Sequence, residues 1–176
     1  EALLRALSTD FCVEPAPPGT LSSTIAGHAD EGTVIGLCLG AHGDWILHLK
    51  NGERIRAIVD KGVPEELAGL DVIVLQRLVL EAHLGISDED LASTDRIAYT
   101  IDEAQACRDV HEGQARAAFI LNPTTMDQVW RAAQRGLTMP QKSTYFYPKL
   151  LTGLVFNPLD GVGAHAAKAR RAARSR

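Results

Sequence analysis

The stretch from Asp71 to Gly85 constrains the fold of this chain most strongly. Its apolar residues recur at the three- and four-residue spacing of an α-helix, at Val74, Leu75, Leu78, Val79 and Ala82. Val72, Ile73 and Leu80 widen this apolar surface, so we expect the helix to be deeply buried. Asp71 is a candidate cap at its start, and Gly85 can adopt the left-handed conformation that ends a helix. A helix buried on several sides requires further layers of structure around it.

The residues before this helix predict β-structure. Two apolar runs, 33–39 and 45–50, are divided by a polar, glycine-containing turn, as in a β-hairpin. Asn51-Gly52 is a strong two-residue turn signal and leads into 54–59. We therefore predict a three-stranded antiparallel meander. A brief strand over 11–14 and a helix over 20–29, with Thr20 as its N-cap, precede it.

The residues after this helix predict alternating strands and helices. Residues 115–121 are apolar without alternation, which indicates a central strand covered on both faces. Strands are also predicted at 96–101 and, briefly, at 153–156. Helices are predicted at 103–112 and 124–135. Asp102 is the expected cap of the first helix, with Gln105 placed for a capping box, and Gly136 is the expected end of the second. The fold class is α+β (or α/β), with helices packed on one mixed β-sheet that includes the N-terminal meander.

Composition and charge limit the function classes. The chain has 176 residues, 45% of them hydrophobic and 23% charged, which is ordinary for a globular domain. We predict a single domain over 1–159, derived from the C-terminal part of a longer protein, and a basic Ala/Arg-rich tail over 160–176. The net charge is −4 although the tail is basic, so the body is acidic and nucleic acid is not an expected partner. No stretch approaches the length of a membrane helix.

Cysteine and histidine spacing predicts neither disulfides nor a metal site. Cys12, Cys38 and Cys107 lie far apart and form no CxxC pair, and the six histidines are scattered. His42 and His48 are separated by a predicted turn and strand, which is no standard metal-ligand spacing. We expect no metal, and a reducing, cytoplasmic location.

One segment nearly reproduces a phosphate-binding P-loop. Residues 136–143 read Gly-Leu-Thr-Met-Pro-Gln-Lys-Ser, against the pattern GxxxxGK[ST]. Gln141 replaces the second glycine, Pro140 removes an amide donor, and the segment follows a helix rather than a strand. These departures argue against a true P-loop.

The longer loop 139–149 is nevertheless the best candidate site in the sequence. Lysine ammonium and Ser/Thr hydroxyl groups suit phosphate or carboxylate, and aromatic rings can stack on a planar ring. The candidate ligand-binding residues are Lys142, Ser143, Thr144, Tyr145, Tyr147 and Lys149, together with Asn122 and Thr124 at the start of the preceding helix. We expect the segment between Pro140 and Pro148 to be extended, with Lys142 near the helix start, where backbone amides would also receive an anion. The alternative is that the aromatic residues seal the core beneath a long loop while the lysines are solvated.

Four sequence blocks resemble a prokaryotic family named domain of unknown function 1015. They are Leu-Asp-Val-Ile-Val-Leu-Gln-Arg-Leu-Val-Leu-Glu-Ala-His-Leu-Gly-Ile (70–86), Arg-Ile-Ala-Tyr-Thr-Ile-Asp (96–102), Ala-Ala-Phe-Ile-Leu-Asn-Pro-Thr (117–124) and Met-Pro-Gln-Lys-Ser-Thr-Tyr-Phe-Tyr-Pro-Lys-Leu (139–150) with Thr-Gly-Leu-Val (152–155). The resemblance is close over 70–159, whereas 1–69 agree only in general layout.

The resemblance implies that this chain is the C-terminal half of a longer protein. Members of the family carry an N-terminal half with a Gly-His-His-Arg motif, similar to the ParB and sulfiredoxin superfamily, which includes nucleotide-using free-serine kinases. Neither this motif nor the family's acidic-Thr-Arg-Pro segment occurs in the chain. The resemblance thus implies a domain that binds a ligand or completes an active site, with no cofactor of its own and a nucleotide as the ligand of the full-length protein. Its expected partner is its own N-terminal half. The alternative is a structural or interaction module that packs on that half or forms a homodimer.

Overall fold

The computed structural model describes residues 1–50, 52–92, 96–140 and 142–144, and residues 1–144 belong to one compact unit. Its strands are β1 (Phe11–Ala16), β2 (Val34–Cys38), β3 (Asp44–Leu49) and β4 (Ala118–Leu121). Its α-helices are α1 (Ala2–Leu7), α2 (Leu21–Gly27), α3 (Gly52–Asp60), α4 (Glu65–Ala68), α5 (Asp71–Val74), α6 (Ala82–Leu84), α7 (Asp88–Ala92), α8 (Glu103–His111) and α9 (Met126–Gln134). A π-helix, Leu75–Glu81, joins α5 to α6, and short 3-10 turns cover Ala29–Glu31 and Gly40–His42.

The four strands form one sheet in the order β1-β3-β2-β4. Each of its three pairings is antiparallel. The predicted hairpin is confirmed, since β2 pairs with β3 and Leu37 lies opposite Trp45. The helical and β content confirms the α+β class. The expected mixed sheet is wrong for the described residues, because no pair of strands among them runs parallel.

Side chains alternate between the two faces of the sheet along each strand, so both faces carry apolar residues. Helices cover both of these faces. One face packs Ile35, Leu37 and Leu47 into a large cluster with residues of α1, α3, α4, α5 and the π-helix. The opposite face packs Val34, Cys38 and Ile46 against α2 and α8. Gly36 sits under α2, where a Cβ atom would lie 3.2 Å from side-chain atoms of both Leu21 and Ile120. The close approach of α2 to the sheet therefore depends on glycine at this position.

The predicted helix from Asp71 to Gly85 is confirmed, and Gly85 ends it with φ 63°. Its middle is π-helical rather than α-helical, a geometry that is rare in long stretches. Val74 and Val79 are fully buried in the larger cluster. Asp71 is the first residue of α5 rather than its cap, because the N-cap position belongs to Leu70. None of the helices among the described residues is long and apolar enough to cross a membrane.

The predicted strand at 54–59 is wrong, because these residues lie in α3. Ile55, Ile58 and Val59 fit the three- and four-residue spacing of a helix as well as a short strand pattern. In the structure Ile58 is buried in the larger cluster, with Ile55 and Val59 packed against it. The third strand beside the hairpin is instead β1, which pairs with β3. The strand predicted at 11–14 therefore forms the third strand beside the hairpin, the position that was predicted for 54–59.

The second half of the chain departs from the prediction at two strands. Residues 96–101 form no strand, and Tyr99 and Ile101 are 54% and 83% exposed. β4 is at the edge of the sheet instead of its centre. It is half-buried on both faces, which explains its unbroken apolar sequence without requiring two strand partners. Helices α8 and α9 confirm the helices predicted at 103–112 and 124–135. The capping box predicted for Gln105 is wrong, because its side chain bonds to Asp109 and Arg108 while the Asp102 N–H donates to Thr100. The strand expected at 153–156 and the tail 160–176 lie outside the described residues.

Candidate functional site

A half-buried carboxyl group, that of Asp71, lies where β4 ends and α5 begins. The Asn122 backbone N–H and the Thr33 hydroxyl lie close enough to this carboxyl to favour its charged form. Burial raises the pKa of Asp71 from its ordinary 3.8 to about 6, against the opposing effect of these two groups. The Thr33 hydroxyl donates to the Gly69 carbonyl oxygen at 3.5 Å, at the limit of a hydrogen bond. A half-buried carboxyl with a raised pKa is typical of functional sites.

Asn122 is committed to structure on two sides. Its backbone amide lies near the Asp71 carboxyl and favours the charged form of that group, and its side-chain Nδ2 donates to the Ile25 carbonyl oxygen at 3.2 Å. It therefore ties the end of β4 to both α5 and α2. The hydrogen bond to Ile25 uses one of the two Nδ2 hydrogens, so the side-chain oxygen and the second N–H remain for a ligand.

The loop after α9 returns to this end of β4. The Thr124 hydroxyl donates to the Ser143 carbonyl oxygen at 2.8 Å. Ser143 closes a tight turn on Pro140, because its hydroxyl donates to the Pro140 carbonyl oxygen at 2.7 Å and its N–H approaches the same oxygen at 3.4 Å. The structure thus brings Thr124 beside Ser143 and Pro140, which together with Lys142 are called the turn 140–143.

Lys142 occupies a strained position in this turn. Its φ of 59° is the only positive φ of a non-glycine residue among those described, and its side chain is exposed. The left-handed region costs a residue with a Cβ atom about 1–2 kcal/mol. The extended conformation expected for this part of the loop is therefore wrong. Proline restricts its own φ and its predecessor, Met139, but not the residues that follow it.

The start of α9 is a poorer anion site than the sequence suggested. The Thr125 side chain accepts from the Gln128 N–H, and the Gln128 side chain accepts from the Thr125 N–H, which completes a capping box. Two amides that an anion would use are thus already bonded. Asp127 adds a carboxylate to the first turn. The expectation that this helix start receives an anion is not favoured by the geometry.

Three candidate residues, Tyr145, Tyr147 and Lys149, lie outside the described residues. Ser143 is half-buried, and Thr144 and Lys142 are exposed. The described part of the candidate site includes the predicted residues Asn122, Thr124 and 142–144. It also includes Asp71 and Thr33, which were not predicted to be site residues. Asp71 was assigned only to helix capping, and no local signal links it to Thr33 or Asn122.

Two of the open clefts on the described surface bear on the choice of site. The larger, of about 480 Å³, is lined by residues of α4 and α9, including Glu65, Glu66, Gln128, Arg131 and Arg135. Arg135 and Glu66 form an ion pair across it at 3.0 Å. The cleft also contacts Gly69 and Leu70, which directly precede Asp71. Lys142 does not line this cleft.

The smaller cleft, of about 330 Å³, contains a thiol that is poorly suited to nucleophilic catalysis. Its lining includes Asp44, Glu103, Cys107 and His111. Burial, with added effects from Cys38 and the nearby carboxylates, raises the pKa of the Cys107 thiol to about 12. The reactive form of a cysteine is the thiolate. A nucleophilic role for Cys107 is therefore disfavoured although His111 lies one helical turn away.

No family model, curated protein or solved structure matches this chain. The candidate site consequently rests on the chain's own residues.

Two further side-chain groups escaped the sequence reasoning. The buried Asp10 carboxylate is bridged by Arg54 Nε and His83 Nε2, each at 3.0 Å, and so joins β1 to α3 and α6. The second group contains His28, Glu31 and His48. Apart from the local pair His28 and Glu31, the members of each group are far apart in the sequence, so no local pattern predicts either group.

Proposed function

We propose that this chain is a ligand-binding domain that recognises an anionic small molecule at the turn 140–143. The observation that carries the proposal is the exposed Lys142 in a left-handed turn that Thr124 anchors to the end of β4. Backbone strain at an exposed polar residue is common where a chain positions a group for binding. Glycine would relieve this strain, so the presence of lysine suggests a use for its ammonium group.

Asp71 supports a ligand that carries a hydrogen-bond donor beside its anionic group. An ionised carboxylate offers about four lone-pair sites, and the nearby Asn122 amide and Thr33 hydroxyl occupy at most two of them. A ligand hydroxyl is a suitable donor for the remaining positions. Phosphorylated sugars and nucleotides combine phosphate and hydroxyl groups in this way, which agrees with the nucleotide-derived ligand that the sequence resemblance implies.

The larger cleft supports a place for the rest of the ligand. Its lining includes Gln128, which is four residues after Thr124 in the sequence. Its arginines, Arg131 and Arg135, offer planar donors for carboxylate or phosphate oxygens. Glu65 and Glu66 oppose them, so a ligand with both an anionic and a donor group fits the cleft better than a simple anion.

The full-length protein is proposed to be a small-molecule phosphotransferase, an inference that rests on the superfamily analogy alone. The part that this chain would have is to bind the ligand and complete an active site formed with its own N-terminal half. We expect no kinase or hydrolase turnover by the 176-residue chain itself. The Cys107 thiol, which lies in a cleft beside a histidine, has a raised pKa that disfavours a nucleophilic role.

Titration calorimetry with ATP, ADP and ribose 5-phosphate tests the binding proposal on both the 176-residue chain and the longer protein. Lys142→Gly removes the ammonium group while relieving the turn, whereas Lys142→Arg keeps the charge. We expect the glycine variant to lose about 10–100-fold in affinity, the range of a charge-assisted hydrogen bond. The arginine variant should retain most of the binding. Unchanged affinity in the glycine variant would remove Lys142 from the site.

An interaction module is the second candidate function, and exposed apolar residues on α9 favour it. Met126 and Trp130 are 66% and 64% exposed and lie one turn apart on the same side of the helix. A large aromatic residue left in water is typical of a protein interface. The N-terminal half or a second subunit is the proposed partner. Light scattering of the longer protein and of its Trp130→Ser variant tests this: a dimer lost in the variant supports the interaction reading.

A further inference from the structure

The geometry points to a zinc-class metal site formed by His28, Glu31 and His48. One potential ligand atom from each residue lies within 4.8 Å of those of the other two. Two imidazoles and a carboxylate are a ligand set used by zinc in sites that retain an open coordination position. The inference is independent of the anion-binding proposal, since none of the three residues belongs to that site.

The backbone holds His28 and Glu31 in one turn. His28 follows the last residue of α2, and its carbonyl oxygen accepts the Glu31 N–H at 3.0 Å. Its Nδ1 atom lies 2.9 Å from Glu31 Oε2. Gly32, with φ 111°, then redirects the chain into β2. A residue with a Cβ atom rarely adopts that φ, so the glycine helps to fix the path that leads from Glu31 to the sheet.

The sheet brings His48 to this turn. His48 lies on the inner strand β3, directly opposite Val34 of β2. Only Gly32 and Thr33 separate Val34 from Glu31 in the sequence. It shares its sheet face with Ile46, which packs against Leu21 and Ile25 of α2. The rings of His28 and His48 are in edge contact, with centroids 5.1 Å apart. The imidazole of His48 therefore comes from a rigid strand, whereas the other two ligands come from the turn beside it.

Small side-chain rotations would convert this group into a metal site. Zinc–nitrogen bonds of about 2.0–2.1 Å at tetrahedral angles place ligand atoms about 3.3 Å apart. In the structure His28 Nδ1 and Glu31 Oε2 are 2.9 Å apart, and the potential ligand atoms of all three residues lie within 4.8 Å of one another. The side chains of His28 and Glu31 are 39% and 63% exposed, so they can rotate without repacking the core. Metal binding at Nδ1 of His28 requires the tautomer that carries its proton on Nε2.

Three protein ligands leave one tetrahedral position for water or for a small anion. Both imidazoles bind metal in their neutral form. Nitrogen and carboxylate ligands also bind copper and nickel, which the order of divalent-metal affinities favours over cobalt. Zinc is the metal that we propose for this site, and cobalt is its informative substitute because its visible spectrum reports tetrahedral geometry.

The test uses the complete 176-residue chain without a polyhistidine tag, titrated with Zn²⁺ by calorimetry and with Co²⁺ by visible absorption. We expect one saturable site per chain and the intense absorption of tetrahedral cobalt. Glu31→Gln and His28→Ala should each weaken binding by about 10–100-fold or more, since loss of an outer-sphere partner alone costs that much. Both positions are partly exposed, so both variants should keep the native circular dichroism spectrum.

His42→Ala is the matched control. His42 is an exposed histidine of the turn that precedes β3, at the opposite end of that strand from His48. Its loss should leave zinc affinity unchanged. Absence of saturable binding to the native chain would overturn the inference. So would equal zinc affinity in His28→Ala, Glu31→Gln and the native chain. Neither result would bear on ligand binding by Lys142, which is measured with different probes and variants.

Discussion

Replacement of Asp71 by Asn should stabilise the protein above pH 6 and leave it nearly unchanged below pH 4. The folded-state pKa of Asp71 is raised from 3.8 to about 6, chiefly by burial. Between these values the folded chain therefore binds more protons than the unfolded chain, and stability falls as pH rises. Asparagine retains a side-chain oxygen beside the Asn122 amide and the Thr33 hydroxyl but cannot ionise.

The expected size of this effect follows from the pKa difference. About two pKa units correspond to about 3 kcal/mol, and water around the half-buried carboxyl reduces this to about 2 kcal/mol. Urea unfolding of native and Asp71→Asn protein at intervals from pH 4 to pH 8 measures it. The free-energy difference between the two proteins should grow in favour of the variant as pH rises through 4–6 and then level off. A difference that stays constant with pH, or that grows toward acid, would refute the reasoning.

Three further predictions concern the turn, the α9 cap and the cysteines. Lys142→Gly should raise the free energy of unfolding by about 0.5–1 kcal/mol, since glycine adopts the φ of 59° without strain; denaturant unfolding measures this, and destabilisation would contradict it. Thr125→Ala should lower that free energy by about 1 kcal/mol through loss of the capping box with Gln128, whereas an unchanged midpoint would show that the cap contributes nothing. The exposed Cys12 should react with a thiol reagent at pH 8 well before Cys107, whose pKa is raised to about 12; mass mapping of the labelled sites decides the order.

Local sequence signals predicted the helices more successfully than the sheet. Gly85 and Gly136 have positive φ at helix ends, and the Asp102 side chain accepts the Gln105 N–H at 3.1 Å, as their positions in the sequence indicate. These features depend only on neighbouring residues. The segment 54–59 shows the limit of such signals, because Ile55, Ile58 and Val59 satisfy a helical spacing that only the packing of α3 against the core selects.

The sheet and the site depend on contacts between distant residues. The pairing of β1 with β3 joins residues 11–16 to 44–49, and no periodic pattern in the sequence predicts this pairing. The contact of Asp71 with Thr33 and Asn122 likewise joins three separate segments. Sequence reasoning located Lys142, Asn122 and Thr124 because they lie in distinctive local blocks. It missed Asp71, whose chemistry is set by burial rather than by its neighbours in the sequence.

The most direct test of the proposed function compares the affinity of the 176-residue chain for ATP, ADP and ribose 5-phosphate in its native form and in two variants. Lys142→Gly removes the proposed binding cation. Arg116→Ala removes an exposed cation that precedes β4, at the opposite end of that strand from Asn122. The account predicts a loss of about 10–100-fold for Lys142→Gly and none for Arg116→Ala. Equal affinities in all three proteins, or equal losses in both variants, would contradict a specific anion site at the turn 140–143.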